Sequence, residues 1–246
     1  MTKRFLKLVA LLLAVLSMEG VMAAQDRPVV IMGASYAGGW NPPTLAGLPV
    51  VNKGIGGEQS FEVLERFSTD VLELEPKPQA VVIWGFINDI HRGEREQMDR
   101  IVERAKDSLR NMVIQARANG ITPILATEVT IRGPKGFKQD VVQFVGDLLG
   151  KSSYQDYVNQ RVLEVNEWIR EYAASHDVLL LDFEPLLKDD NHRRVAGYAV
   201  DDGSHISDAG YQRLTEYATR KLPAGSLEGE AEPQRETLEG RTMAAK

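Results

Sequence analysis

The chain has 246 residues, a formal net charge of −6 and no cysteine, and 43% of its residues are hydrophobic. An acidic chain without a basic stripe excludes nucleic acid as a partner, because nothing would neutralise the phosphates. Without cysteine there is no disulfide staple and no thiol to carry an N-terminal lipid, so stability must come from a packed core, which a chain of this length builds as one large domain.

Residues 1–23 stand apart. Lys3, Arg4 and Lys7 precede the apolar run Leu8 to Leu16, and Val21-Met22-Ala23 offers a small-residue cleavage site, the layout of a signal peptide cut after Ala23 or Ala24. The run falls short of the roughly 20 residues of a membrane span and no second such stretch follows, so no stable membrane anchor is expected after cleavage. Its loss removes three positive charges and one negative, leaving about −8 on a mature chain that is expected to be exported, periplasmic or secreted.

Strand-like and helix-like runs then alternate. Pro28 to Met32, Leu48 to Asn52, Ala80 to Trp84, Ile121 to Thr127 and Val178 to Asp182 are short apolar runs of the kind buried on both faces of a parallel sheet. Helices are predicted over Glu58 to Phe67, Glu94 to Ala118, Asp156 to Ala174 and Ser207 to Lys221, with Gly120 stopping the second and Ser207 capping the last. The rhythm predicts an α/β fold, a three-layer α/β/α sandwich around a mostly parallel five-stranded sheet. Residues 131–155 break it with a Gly-Pro-Lys-Gly loop and a short apolar segment, either a packing helix or a flap over the site. The domain is expected to span residues 24–222 and to be followed by a disordered acidic tail over 223–246.

The chemistry gathers where strands end. Gly33-Ala34-Ser35-Tyr36 follows the first run, putting a serine where open α/β sheets hold their ligands. Taken alone, Ser35 reads as readily as a helix-capping loop residue. Near the other end, Asp201-Asp202-Gly203-Ser204-His205 precedes the last helix, and an aspartate three residues ahead of a histidine can fold back to hold one ring nitrogen while the other faces outward as a base. His91, His176 and His192 lack such company. Gly54-Ile55-Gly56-Gly57 follows the second run and Gly85-Phe86-Ile87-Asn88-Asp89 the third. These bring backbone N–H groups and a neutral amide donor of the kind an oxyanion needs, although turn glycines and an Asx turn would look the same.

In this order the four blocks resemble the SGNH hydrolase family, the GDSL esterases and lipases, over roughly residues 28–220. The resemblance implies a flavodoxin-like SGNH fold and an esterase with no cofactor or metal. Ser35 would be the nucleophile, His205 the base and Asp202 its orienting acid, with an oxyanion hole built from Ser35, Gly57 and Asn88; Asn52 and Asp89 would be structural support. Two departures stand out. Ala34 replaces the acidic residue before the serine, and Phe86 takes the glycine position of the third block, where its bulk would narrow the site.

The reaction expected from the resemblance is transfer of an acyl or acetyl group to water, on a small-molecule, lipid or carbohydrate ester, and fold alone selects none of these. Competing readings are a metal-dependent hydrolase built on Asp189, Asp190, His192, Asp201, Asp202 and His205, and an idle carbohydrate- or peptide-binding protein. A nucleotide site at Gly54 to Gly57 lacks the required glycine spacing. Oligomeric state is left open.

Overall fold

The computed structural model describes residues 27–132 and 154–227. The proposed signal peptide and most of the 131–155 segment lie outside these residues.

Five parallel strands make the centre: β1 (Val29–Gly33), β3 (Leu48–Gly54), β4 (Ala80–Trp84), β5 (Thr122–Ala126) and β6 (Leu179–Leu181). Their order is β3-β1-β4-β5-β6, which in parallel-strand count is 2-1-3-4-5, the flavodoxin-like arrangement. The expected five-stranded sheet gains a sixth member, β2 (Thr44–Leu45), antiparallel to β3 at the outer edge. It turns through Ala46 (φ 55°) and Gly47 (φ 83°), a two-residue hairpin whose twist suits antiparallel neighbours. Two paired residues are too few to leave an alternating pattern in the sequence.

The central strands are apolar without interruption because both faces are covered. Val29 to Met32 and Ala80 to Trp84 are each at most 1% exposed, as strands sandwiched between helix layers must be. One layer joins α2 (Ser60–Glu65), α3 (Ile87–Arg92), α4 (Met98–Ala118) and α5 (Tyr154–Ser175), which pack on one another. The other joins α1 (Ser35–Gly39), α6 (Glu184–Leu187) and α7 (Asp208–Lys221), tied by Trp40 Nε1 donating to Thr215 Oγ1 at 2.9 Å and Arg213 Nε donating to the Leu186 carbonyl at 2.7 Å.

Helix α4 buries Val102, Ala105, Leu109, Met112, Val113 and Ala116, a stripe at helical spacing that faces the sheet. It begins at Met98, four residues later than predicted, because Arg95–Gln97 form a separate 3₁₀ turn. Ser207 caps α7, its hydroxyl accepting from the Gly210 N–H at 3.3 Å.

The predicted tail begins too early. Residues 223–227 turn back under the sheet: Gly225 N–H donates to the Ala46 carbonyl at 3.1 Å, Leu227 is 1% exposed, and its carbonyl accepts from Gln79 Nε2 at 2.6 Å. A single large apolar residue in a polar segment suffices to anchor it, because burying a leucine is worth about 2 kcal/mol. Residues 228–246 lie outside the described ones.

Candidate active site

The chain runs out from β1 and crosses to opposite sides of it through β3 and β4, so a crevice opens beyond the carboxyl ends of these three strands. Ser35, Gly57 and Asn88 each follow one of them.

Ser35 is the first residue of α1 and is half-buried. The turn that carries it is fastened to β3. Asn52 Nδ2 donates to the carbonyls of Ala37 (2.8 Å) and Trp40 (2.9 Å), and Asn52 Oδ1 accepts from the Gly54 N–H at 2.8 Å. Gly54 presses on the same turn so closely that a Cβ there would stand 2.1 Å from the Gly38 nitrogen. Only glycine permits this approach.

Beyond Gly54 the chain is pinned by the Ile55 N–H donating to the Gly33 carbonyl at 3.0 Å. Gly56 then passes over the serine, where a Cβ would lie 3.9 Å from Ser35 Cβ. Gly57 has φ +87°, a conformation other residues rarely adopt.

Asn88 lies in the first turn of α3, half-buried, with Nδ2 donating to the Glu58 carbonyl at 2.9 Å. That bond uses one of the two amide hydrogens and holds the third block against the second. Its neighbour Asp89 is fully buried and accepts from the Ser60 N–H (2.6 Å) and hydroxyl (2.9 Å). Burial raises the Asp89 pKa against the opposing pull of those bonds. Phe86 does not narrow the crevice: it is 1% exposed and belongs to the hydrophobic core.

On the 201–205 loop the carboxylate that meets the histidine is Asp202's. Its Oδ2 lies 2.6 Å from His205 Nδ1, and its Oδ1 accepts from the N–H groups of Ser204 (2.7 Å) and His205 (2.8 Å). Partial burial works to raise the Asp202 pKa, but the His205 ring and the two N–H donors outweigh it and hold the carboxyl below its usual range. A carboxylate at Nδ1 favours the tautomer that carries its proton on that nitrogen, which would leave Nε2 as the basic one.

Serine turn and histidine loop meet through their neighbours. Tyr36 OH donates to the Ser204 carbonyl at 2.7 Å, and the Tyr36 ring meets the His205 ring edge-on with centroids 6.5 Å apart. The Ser35 hydroxyl has no hydrogen bond among the described residues, which is common where nucleophile and base tighten only around substrate.

Two buried charges escaped the sequence reading. Arg194 is 0% exposed and spreads its guanidinium over the Thr130 carbonyl (2.9 Å), the Ser204 carbonyl (2.7 Å) and Tyr36 OH (2.7 Å). Glu128, 1% exposed just past β5, accepts at Oε1 from the N–H groups of Phe86 (2.9 Å) and Ile87 (3.3 Å), so it holds the turn that presents Asn88. Burial pushes its carboxyl up to about 7, despite those N–H donors and the Arg194 charge.

The metal-site reading gains nothing from this geometry. Asp189 Oδ1 turns inward to the N–H groups of Asn191 and Arg193, and among the described residues no three His, Asp or Glu side chains gather as a ligand set.

The profile of the GDSL-like lipase/acylhydrolase family matches residues 24–213. The chain belongs to this family. No curated protein matches it in sequence. Among solved GDSL-like structures, it is similar to a protein assigned to the lipolytic G-D-S-L family from Desulfitobacterium hafniense, at 26% identity and a TM-score of 0.61 over 80% of this chain and all of that one. A protein described as an acylhydrolase from Bacteroides fragilis is 25% identical with a TM-score of 0.59, covering 80% of this chain and 86% of that one. The acetylxylan esterase Axe2 of Geobacillus stearothermophilus shares the fold at 19% identity, with a TM-score of 0.58 over 80% and 94% of the two chains. Membership accounts for the order in which the GDSL-like blocks meet the strand ends.

Proposed function

We propose that this chain is an exported serine esterase that hydrolyses carboxylic esters, acyl or acetyl, through Ser35, His205 and Asp202. The single observation that carries the reading is the 2.6 Å contact between Asp202 Oδ2 and His205 Nδ1, on a loop joined to the serine turn by the Tyr36 hydroxyl. An aspartate held in that way orients a base and stabilises the imidazolium that forms when the base takes a proton.

Ser35 Oγ attacks the ester carbonyl as its proton passes to His205 Nε2. The tetrahedral oxyanion is met by the N–H groups of Ser35 and Gly57 and by the second amide hydrogen of Asn88, the one not given to Glu58. Collapse breaks the bond to the alcohol, which leaves with the proton from His205. Water, deprotonated by the same nitrogen, then releases the acid and frees Ser35. Family membership supports acyl transfer, and the layout of residues 1–23 supports export.

The test is covalent labelling by a fluorophosphonate alongside hydrolysis of p-nitrophenyl acetate. Labelling is expected on Ser35 and lost in His205→Ala, with Ser35→Ala inactive. A folded Ser35→Ala that keeps turnover within about tenfold of the parent overturns the assignment.

A further inference from the structure

Arg92 ends the helix that carries Asn88. At positions i, i+3 and i+4, Asn88, His91 and Arg92 share one face of α3. The exposed Arg92 side chain reaches back over the glycine turn, where one terminal nitrogen stands 3.0 Å from the position a Gly57 Cβ would take. A Cβ on Gly56 next to it would stand 3.9 Å from Ser35 Cβ, so the guanidinium and the proposed nucleophile flank the same glycine turn.

This cation has no hydrogen-bonded or ionic partner among the described residues. The acid nearest in sequence to Gly57 is otherwise engaged: Glu58 accepts from Arg66 Nε at 2.8 and 3.0 Å. Asp89, from the same helix, is buried against Ser60 and Arg104. His91 alongside adds no charge at neutral pH, because burial and then the nearby His205 lower its pKa. Its Nδ1 is held by Tyr154 OH at 3.1 Å, and its Nε2 is buried without a partner. Among the described residues of a chain with a net charge of −6, this arginine beside the Gly57 turn therefore has no counter-charge. A guanidinium presents a planar fork matched to carboxylate and phosphate oxygens.

We propose that Arg92 binds a carboxylate or phosphate carried by the substrate, making this chain selective for esters that bear an anionic group beside the scissile bond; this rests on Ser35 being the nucleophile. Gly57 has no side chain to hold the guanidinium away from the turn, so an anionic group on the substrate would meet Arg92 from the solvent side of that turn.

The experiment pairs charged and neutral esters of matched size. The p-nitrophenyl half-ester of adipate against p-nitrophenyl hexanoate puts the charge on the acyl side, 4-acetoxybenzoate against 4-acetoxybenzamide on the alcohol side, and phenyl acetate with added inorganic phosphate tests the anion as competitor. The parent is expected to favour the charged member of one pair in kcat/KM, and Arg92→Gln to reduce that ratio about tenfold or more, with Arg92→Lys keeping part of it. The same ratio is read as binding to Ser35→Ala, where no turnover is needed. No preference in the parent, or equal losses on both members in Arg92→Gln, overturns the inference. A charged-probe preference in binding without turnover of any ester would leave the Arg92 site standing and remove the esterase reading instead.

Discussion

The Arg194 guanidinium and the Tyr36 hydroxyl, 2.7 Å apart, form one buried joint that also takes in the Ser204 carbonyl. Tyr36 follows the proposed nucleophile and Ser204 precedes the proposed base, so this joint sets their separation. Tyr36→Phe removes one hydroxyl and leaves a buried Arg194 N–H without its acceptor, at a cost of about 1–3 kcal/mol in stability. Urea unfolding should show this, and kcat should fall more than KM rises because the alignment of the two groups is loosened. Arg194→Met leaves the Thr130 carbonyl without its donor and the Ser204 carbonyl with Tyr36 OH alone, and should destabilise at least as much. Wild-type kcat in a stably folded Tyr36→Phe would show that the joint is packing alone.

Asp202 and Asp201 are adjacent carboxylates, and Asp202 Oδ2 lies 2.6 Å from His205 Nδ1. Asp202→Asn should lower kcat by about a thousandfold or more, since the ring loses both its orienting acceptor and its counter-charge. Asp201→Asn should lose far less. The lowered Asp202 pKa means that the stabilisation given by its bonds is present above the unfolded carboxylate pKa and is lost as pH falls through the folded one. Steady-state rates of the two variants, measured side by side, decide the order.

Glu128 titrates in the opposite sense. Its unfolded value is near 4.5 and burial raises the folded one to about 7, so between these values the folded state binds the proton more tightly. Its contribution to stability therefore declines as pH climbs through that window, by a total on the order of 1–3 kcal/mol. Glu128→Gln keeps an acceptor for the Phe86 and Ile87 N–H groups and removes the titration. The slope of unfolding free energy between pH 5 and about 7 should flatten in this variant. An unchanged slope would assign the pH dependence to other groups.

Leu227 closes the bottom of the sheet. Leu227→Ala should cost about 2 kcal/mol by loss of apolar burial, and ending the chain at Leu222 should cost more, because the Gln79 and Ala46 bonds go with it. Thermal unfolding of both variants tests this, with ester hydrolysis at low temperature expected to survive in Leu227→Ala.

The parallel strands were legible because burial on both faces leaves unbroken apolar runs such as Ala80 to Trp84, and α4 was legible through its stripe. The serine, glycine, asparagine and histidine blocks were legible because each sits at a strand or helix end with characteristic neighbours. Arg194 and Glu128 were not. Arg194 lies in the charged run from Lys188, which reads as solvated surface, and nothing local says that three carbonyl and hydroxyl groups from distant segments converge on it. Glu128 follows an apolar strand as any loop acid might, and its burial depends on the Phe86 turn, 42 residues earlier in the chain. Phe86 misled in the other direction, since bulk in a motif position says nothing about which way the ring turns.

The bond from Tyr36 to Ser204 spans 168 residues, which on the proposed esterase reading gives the chain a natural latency. A chain emerging from the ribosome displays its serine turn early, yet the imidazole that would activate it belongs to the last sixth of the protein. Until that segment docks, the proposed nucleophile is without its proposed base. The proposed hydrolytic competence would then be a property of the finished fold alone, and a precursor kept unfolded for the proposed export would carry no active centre to the esters of its own cell.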